Sequence, residues 1–421
     1  MAFHGADPVA QDKEPTMAYP KPLAFRGLNK AFQLGQMVGG VPRALDPEKL
    51  MKKAKKRVRL NDYGDPYFKE GLEVLCDSIN TDARVNAYGY FLAEGTILNF
   101  LETRLLLQDR RNRDHADIRT ELISPLIVSG LARTGTTALQ RMLSAAPDCH
   151  GLEWWELNLP MNRNASDSAE DRIKTAEAII RPRELFTPHL DAMHYIRPHT
   201  LEECFWLMGG TFAARTMTEF MVVYKYMDWY YASADADKKY ADYADLLRIL
   251  QATHPGKRLV VKSIEHLENP HLILKHIPNA MLVQTHRQPT ECVPSYCSLN
   301  TFVCDLTCDD LDMHRHGRAI LDLSDKSMQA HLRNRVGLEH KIYDHKYTDM
   351  LKSPVACVRG VHEKFGLEWS DEVAFTVGQH TREHQQHKYG KHTYKISDFG
   401  LSEDMINERF AGYIDTYLGR D

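Results

Sequence analysis

The stretch that most constrains the fold runs from Leu126 to Leu143, Leu-Ile-Val-Ser-Gly-Leu-Ala-Arg-Thr-Gly-Thr-Thr-Ala-Leu-Gln-Arg-Met-Leu. Its apolar start, Leu126 to Val128, predicts a short buried strand. Leu139, Met142 and Leu143 recur at helical spacing and predict a helix that stops before Pro147. Between them lies a loop bounded by Gly130 and Gly135. A strand that turns through such a loop into a helix aims backbone N–H groups, and the positive end of the helix dipole, at one point. The stretch therefore encodes an anion site, and phosphate is the anion it suits.

Spacing narrows the ligand. Four residues separate Gly130 from Gly135, as in the Walker A loop, but Thr136 stands where that loop has its Lys. The cation has moved inside the loop, to Arg133. An inner Arg followed by Thr136-Thr137 suits a terminal phosphate-like group better than a metal-bridged triphosphate.

Two more apolar runs follow at α/β spacing. Leu259-Val-Val261 precedes Lys262, and Met281-Leu-Val283 precedes Thr285-His-Arg287; a weaker run spans Lys341 to Tyr347. Between and after them lie helical segments, among them Ser353-Pro354 (cap and first-turn proline) through Val358, Val361 and Phe365 to Gly366. The alternation predicts an α/β fold of P-loop type, a mostly parallel sheet covered by helices. Ligands of such sheets bind beyond the carboxyl ends of the strands, where Arg133, Lys262 and Arg287 all emerge. From Asp46 to about Leu107 the chain is rich in helix formers with periodic apolar positions, which predicts an N-terminal helical layer. The expected division is an arm and helical extension over 1–120 and the α/β domain over 121–421, with the proline-containing first twenty or so residues as a flexible or draped arm. Lys52-Lys-Ala-Lys-Lys-Arg-Val-Arg59 reads as a solvated helix face rather than a nucleic-acid patch.

Charge and cysteine usage exclude several classes. A net charge of −4 argues against a general nucleic-acid binder. The eight cysteines are too few for a disulfide scaffold, and Cys292-x4-Cys297 and Cys304-x3-Cys308, even with His314 and His316 nearby, lack zinc-ribbon spacing, so no metal site is read here. No basic start leads into an apolar run and no window approaches 18 uninterrupted apolar residues, which gives the expectation of a cytoplasmic protein without a membrane span. Nine aromatics fall in residues 201–231, about three times the chain average of 9%. Core packing accounts for most of them; a subset lining an apolar pocket is the further expectation.

Taken together, the motifs resemble the sulfotransferases that use 3′-phosphoadenosine-5′-phosphosulfate (PAPS), closest to the bacterial type with a helical N-terminal extension. Gly130-Leu-Ala-Arg133-Thr-Gly135-Thr136-Thr137 is similar to that family's 5′-phosphosulfate loop, G-x-P-[KR]-[ST]-G-T-[TS]. Thr285-His-Arg287 with Ser295 eight residues on resembles its 3′-phosphate motif, and Lys262-Ser-Ile-Glu-His266-Leu its K-S-P-x-H-L. His387 to Tyr394 and Asp398-Phe-Gly-Leu401 are similar to the family's C-terminal segment. Ala132 and Ile264 replace usual prolines and Gln288 a usual Asp, which alters loop rigidity without removing a phosphate ligand.

The resemblance implies roles. Arg133 and Lys262 would stabilise charge on the bridging and leaving-group oxygens, and Thr134, Gly135, Thr136 and Thr137 would hold the 5′-phosphate. Arg287 and Ser295 would take the 3′-phosphate, with Lys388, Tyr389, Gly390 and Lys391 closing over it. PAPS would be the donor, PAP (adenosine 3′,5′-bisphosphate) the product, and a small molecule the acceptor. Three groups compete for the general base: Glu156 first, then Glu153 and His266. The rival readings are a P-loop kinase or nucleotide-binding protein, which wants a Lys after Gly135, and a catalytically silent PAP-binding scaffold.

Overall fold

The computed structural model describes residues 21, 23–163, 168–186, 194–383 and 394–419. The described chain opens with four helices: α1 (Leu23–Met37), α2 (Pro47–Val58), α3 (Phe68–Thr81) and α4 (Ala87–Asn112). In α2, Asp46 accepts the Lys49 N–H, Pro47 supplies the pre-set φ of the first turn, and Leu50, Ala54 and Val58 form one buried row. On the same helix Lys52, Lys53, Lys56 and Arg57 are exposed, so the basic run is the solvated face that the charge balance predicts. The α2 row packs on Leu72 and Leu75 of α3 and on Ile97, Leu101 and Leu105 of α4.

The chain then builds β1 (Leu126–Gly130), α5 (Thr136–Ser144), β2 (Cys149–Gly151), α6 (Trp154–Asn158), α7 (Ala169–Phe186), α8 (Tyr224–Ser233), α9 (Ala236–Thr253), β3 (Arg258–Lys262) and β4 (Met281–His286). After β4 come α10 (Pro289–Thr307), α11 (Met313–Asn334), β5 (Ile342–Lys346), α12 (Pro354–Phe365), α13 (Asp371–Glu383) and α14 (Glu403–Tyr413), with shorter helices and turns between. The five strands pair in the order β2-β3-β1-β4-β5, all parallel. Every residue of β1 and β4 is buried, as expected of central parallel strands with both faces covered. Alternation then sorts the side chains. Ile127, Leu259, Val261 and Leu282 face Tyr243, Leu246 and Leu250 of α9, whereas Leu126, Val128, Val260, Met281 and Val283 face Leu139 and Leu143 of α5 and Val358 and Val361 of α12. The helix at Pro354 ends on Gly366 in the left-handed conformation, but Ser353 makes no side-chain cap bond, so the proline sets its start.

Most of the aromatic segment is core. Phe205, Phe212, Phe220, Tyr226 and Tyr230 are buried, and Phe212, Phe220 and Tyr226 join the cluster that α2, α3 and α4 build. Trp206 remains half-buried and stacks on Phe220 with ring centroids 5.9 Å apart. Cys292, Cys297, Cys304 and Cys308 are free and buried along α10 and its end; burial pushes the thiols of Cys292 and Cys308 up to about 12, which leaves them inert. No helix among the described residues is long and apolar enough to cross a membrane.

Candidate active site

The sheet order creates one crevice. The connection after β1 leaves toward β2 on one side, and the connection after β4 leaves toward β5 on the other, so the carboxyl ends of adjacent β1 and β4 form a topological switch point. The glycine-bounded loop rises from β1 there, Arg287 follows β4, and Lys262 ends β3 on the other flank of β1.

Two glycines shape the loop. A Cβ on Gly130 would lie 2.4 Å from Thr285 Oγ1 and 2.6 Å from Thr134 Oγ1, so only glycine lets β4 approach this closely. Gly135 caps α5 at φ +90, and a Cβ there would meet Met350 Cε at 2.6 Å and Tyr347 Cδ2 at 2.7 Å. Between them Arg133 holds φ +72, a left-handed conformation that costs a non-glycine residue about 1–2 kcal/mol. The loop is fixed by Thr134, whose hydroxyl donates to Leu131 O at 2.7 Å and lies 2.6 Å from Thr285 Oγ1. That hydroxyl, predicted to hold phosphate, is spent inside the fold. Gly135 offers no side-chain cap, so the first N–H groups of α5, including those of Thr136 and Thr137, face the crevice as open donors.

The two motifs meet across the crevice. Arg133 Nε donates to Ser295 Oγ at 3.1 Å, and Arg287 Nη1 donates to Arg133 O at 3.0 Å. Arg287 also pairs with Glu291 at 2.6 Å and lies 4.3 Å from the centroid of the Tyr347 ring. Loss of solvent lowers the pKa of Arg133, the phenol of Tyr394 counteracts this, and the charge of Arg287 adds to the lowering. Two guanidiniums this close gain from an anion placed between them. Lys388, Tyr389, Gly390 and Lys391 lie outside the described residues.

Lys262 is 2% exposed, and its Nζ sits 2.6 Å from Glu203 Oε1. The turn that follows it is fixed by buried ion pairs, Lys239 to Glu265 at 2.6 Å and Arg215 to Glu268 at 2.8 Å. Neighbouring Glu202 is held at about 2: burial raises its pKa, but His194, 2.6 Å away, and Lys262 outweigh that. Glu219 behaves oppositely. Burial, reinforced by the charge of Glu203, pushes it up to about 7 against the opposing influence of Arg215 and of the Tyr296 hydroxyl, which donates at 2.8 Å. Glu219 is half-buried.

The three base candidates read from the sequence lie in other surroundings. Glu156 Oε2 accepts the Glu153 N–H at 2.8 Å and contacts His150 Nε2 at 3.2 Å, while Oε1 pairs with His254. Burial raises its pKa, but the hydrogen bonds from His150 and His254 prevail and hold it at about 2. Glu153 caps α6, accepts from Trp155 Nε1 at 2.7 Å and pairs with His199 at 2.7 Å. His266 is 1% exposed; Tyr240 engages Nδ1 at 3.2 Å and Tyr243 engages Nε2 at 3.1 Å. Burial and the nearby Lys239 push its pKa down to about 3, which keeps the ring neutral. Glu203, which pairs with Lys262, and Glu219, which feels the charge of Glu203, were not singled out by the sequence reading. Their signal was an acidic pair, Glu202-Glu203, and an isolated Glu219 inside an otherwise aromatic and apolar segment.

A model of the sulfotransferase family matches residues 125–371, more than half of the chain and the whole span of these loops. The chain belongs to the sulfotransferase family. Among solved structures it is similar to sulfotransferase STF1 from Mycobacterium tuberculosis H37Rv, at 26% identity and TM-score 0.76 over 88% of this chain and 99% of that one. Sulfotransferase STF9 from Mycobacterium avium shares the fold at 22% identity and TM-score 0.78, over 89% of this chain and 97% of that one. No curated protein sequence matches the chain. The α/β sheet and the N-terminal helical layer expected of this sulfotransferase are thus both present.

Proposed function

We propose that this sulfotransferase takes the sulfuryl group of PAPS and transfers it to a hydroxyl of a small apolar acceptor in the cytoplasm. The observation that carries the reading is the meeting of Arg133, Ser295 and Arg287 across the β1–β4 crevice, beside the open N-terminus of α5. These donors suit a ligand with phosphate at two positions: N–H groups of Gly135, Thr136 and Thr137 for the 5′ end, Arg287 and Ser295 for a 3′-phosphate. Lys388, Tyr389, Gly390 and Lys391 are proposed to close over the 3′-phosphate. Neither a Lys after Gly135 nor a carboxylate at the end of β4 is there to hold a metal-bridged triphosphate, which disfavours the kinase alternative.

PAPS, when bound, supplies an activated sulfuryl group, and the protein's work is positioning and charge stabilisation. Arg133 lies within the loop and would neutralise charge on the bridging oxygen of bound PAPS. Lys262 is held by Glu203; with the donor bound, Lys262 would turn to its anion and release Oε1 of Glu203, whose Oε2 accepts the Ile264 N–H at 3.3 Å. Glu203 then accepts the acceptor's hydroxyl proton, which makes it the proposed general base in place of Glu156, Glu153 and His266, whose polar atoms are engaged elsewhere. The apolar character proposed for the acceptor rests on the aromatic segment around these carboxylates in sequence, in which Trp206 stacks on Phe220 and stays half-buried.

The test is sulfate transfer from radiolabelled PAPS to a panel of phenols, sterols and aliphatic alcohols. Turnover by the wild type, lost in K262A and in R133A, is the expected result. Full transfer by R133A would overturn the assignment of that residue, and no turnover with any acceptor despite PAP binding would favour the silent scaffold.

A further inference from the structure

On the β2 edge of the sheet, away from the crevice, three segments bring two imidazoles and a carboxylate together: His150 in β2, Glu156 in α6 and His254 just after α9. His254 precedes β3, whose opposite end carries Lys262, so the cluster and the phosphate crevice lie at different ends of that strand. His150 Nε2 is 3.2 Å from Glu156 Oε2, His254 Nε2 pairs with Glu156 Oε1, and one donor atom of each residue lies within 4.8 Å of the others. The two rings stack with centroids 3.6 Å apart and planes 23° apart. The imidazoles are 28% and 22% exposed against 4% for the carboxylate, which gives a buried anionic floor toward which both Nε2 atoms of the part-exposed rings are directed. The Glu153 N–H, donating to Glu156 Oε2 at 2.8 Å, fixes the carboxylate as an outer-shell partner fixes a ligating group. Among the described residues no other three His, Cys, Asp or Glu side chains converge in this way.

We propose that His150, Glu156 and His254 form a binding site for a divalent transition metal, with Zn²⁺ as the best match. Two imidazole nitrogens and one carboxylate oxygen are a borderline donor set, suited to Zn²⁺ and unsuited to Mg²⁺ or Ca²⁺, which take oxygen ligands. Each ring coordinates through Nε2 as the neutral tautomer carrying its proton on Nδ1, so two N–H bonds to the carboxylate are exchanged for two metal–nitrogen bonds. Water completes the fourth position on the exposed side. β2 is three residues long and among the described residues pairs with β3 alone, and the metal staples it to α6 and to the segment that feeds β3.

The experiment uses the untagged, metal-stripped full-length chain, titrated with Zn²⁺ against a chromophoric chelator and, in parallel, with Mg²⁺. The expected result is one Zn²⁺ per chain with no Mg²⁺ uptake, and X-ray absorption showing nitrogen and oxygen ligands at about 2.0–2.2 Å. In H150Q and in H254Q the affinity should fall more than about 100-fold, the upper range for loss of a mere outer-shell partner. Zinc should also raise the melting temperature of the wild type and leave that of H150Q unchanged. The His150 side chain is part-exposed at the edge of the sheet, so H150Q remains informative even if H254Q fails to fold. Absence of stoichiometric zinc, or equal zinc affinity in wild type and H150Q, would overturn the proposal.

Discussion

Arg287 latches the phosphate loop in the structure and binds the 3′-phosphate in the proposed function, and two ligands compared on its Ala variant separate these roles. Its Nη1 donates to Arg133 O at 3.0 Å and so helps to hold the loop at the strained φ of +72. In the proposed function the same guanidinium binds the 3′-phosphate. A charge-assisted contact to phosphate is worth about 1.5–3 kcal/mol, which at about 1.4 kcal/mol per decade is roughly a 12- to 150-fold weakening of PAP binding in R287A. The pair with Glu291, whose carboxylate is 55% exposed, adds at most about 1 kcal/mol to stability and does not change that figure. Calorimetry with PAP and with adenosine 5′-phosphate, on wild type and R287A, forms a thermodynamic cycle over the 3′-phosphate alone. The account predicts that R287A loses most of the preference for PAP while binding adenosine 5′-phosphate nearly as before. Equal weakening of both ligands would refute direct 3′-phosphate recognition and leave Arg287 as a loop latch; unchanged PAP affinity would refute both.

Other substitutions test other parts of the site. E203Q should lower turnover by about 10²–10⁴ with little change in the PAP dissociation constant, whereas wild-type turnover would remove Glu203 as the base. E156Q, which weakens the α6 capping box and the pairing with His150 and His254, should cost about 1–3 kcal/mol in denaturant unfolding, and an unchanged midpoint would contradict the structural role given to it. G135A places a Cβ 2.6 Å from Met350 Cε at φ +90 and should destabilise by about 2–4 kcal/mol, read from a urea titration. Glu219, raised to about 7 from its ordinary 4.5, binds a proton more tightly folded than unfolded. Its contribution is therefore fully present below pH 4.5 and is lost as the pH rises through about 7. After allowance for the part that water reaches, the loss is about 2 kcal/mol, and E219Q should flatten that slope; a variant as pH-dependent as the wild type would contradict the assignment.

The sheet and its crevice were legible because central parallel strands must be apolar on both faces. Leu126 to Val128, Leu259 to Val261 and Met281 to Val283 appear as continuous runs, and the residues that follow them converge by topology alone. β2 was not legible, since Cys-His-Gly at an edge carries neither length nor pattern. The loop glycines announced themselves by spacing, but the diversion of the Thr134 hydroxyl into the fold depends on Thr285, a residue on another strand. The proposed base was hidden for a related reason. Glu156 looks like a carboxylate beside a phosphate loop until His254, 98 residues away, is found on it, and His266 looks titratable until Tyr240 and Tyr243 enclose it. Glu203 becomes a candidate only when β3 brings Lys262 against it.

The central claim, that the crevice recognises a nucleotide with phosphate at both the 3′ and 5′ positions, is tested most directly by calorimetric titration with PAP beside Mg·ATP at equal concentrations. The account predicts tight, metal-independent binding of PAP and little binding of Mg·ATP. Preference for Mg·ATP would contradict it and move the protein to phosphoryl transfer.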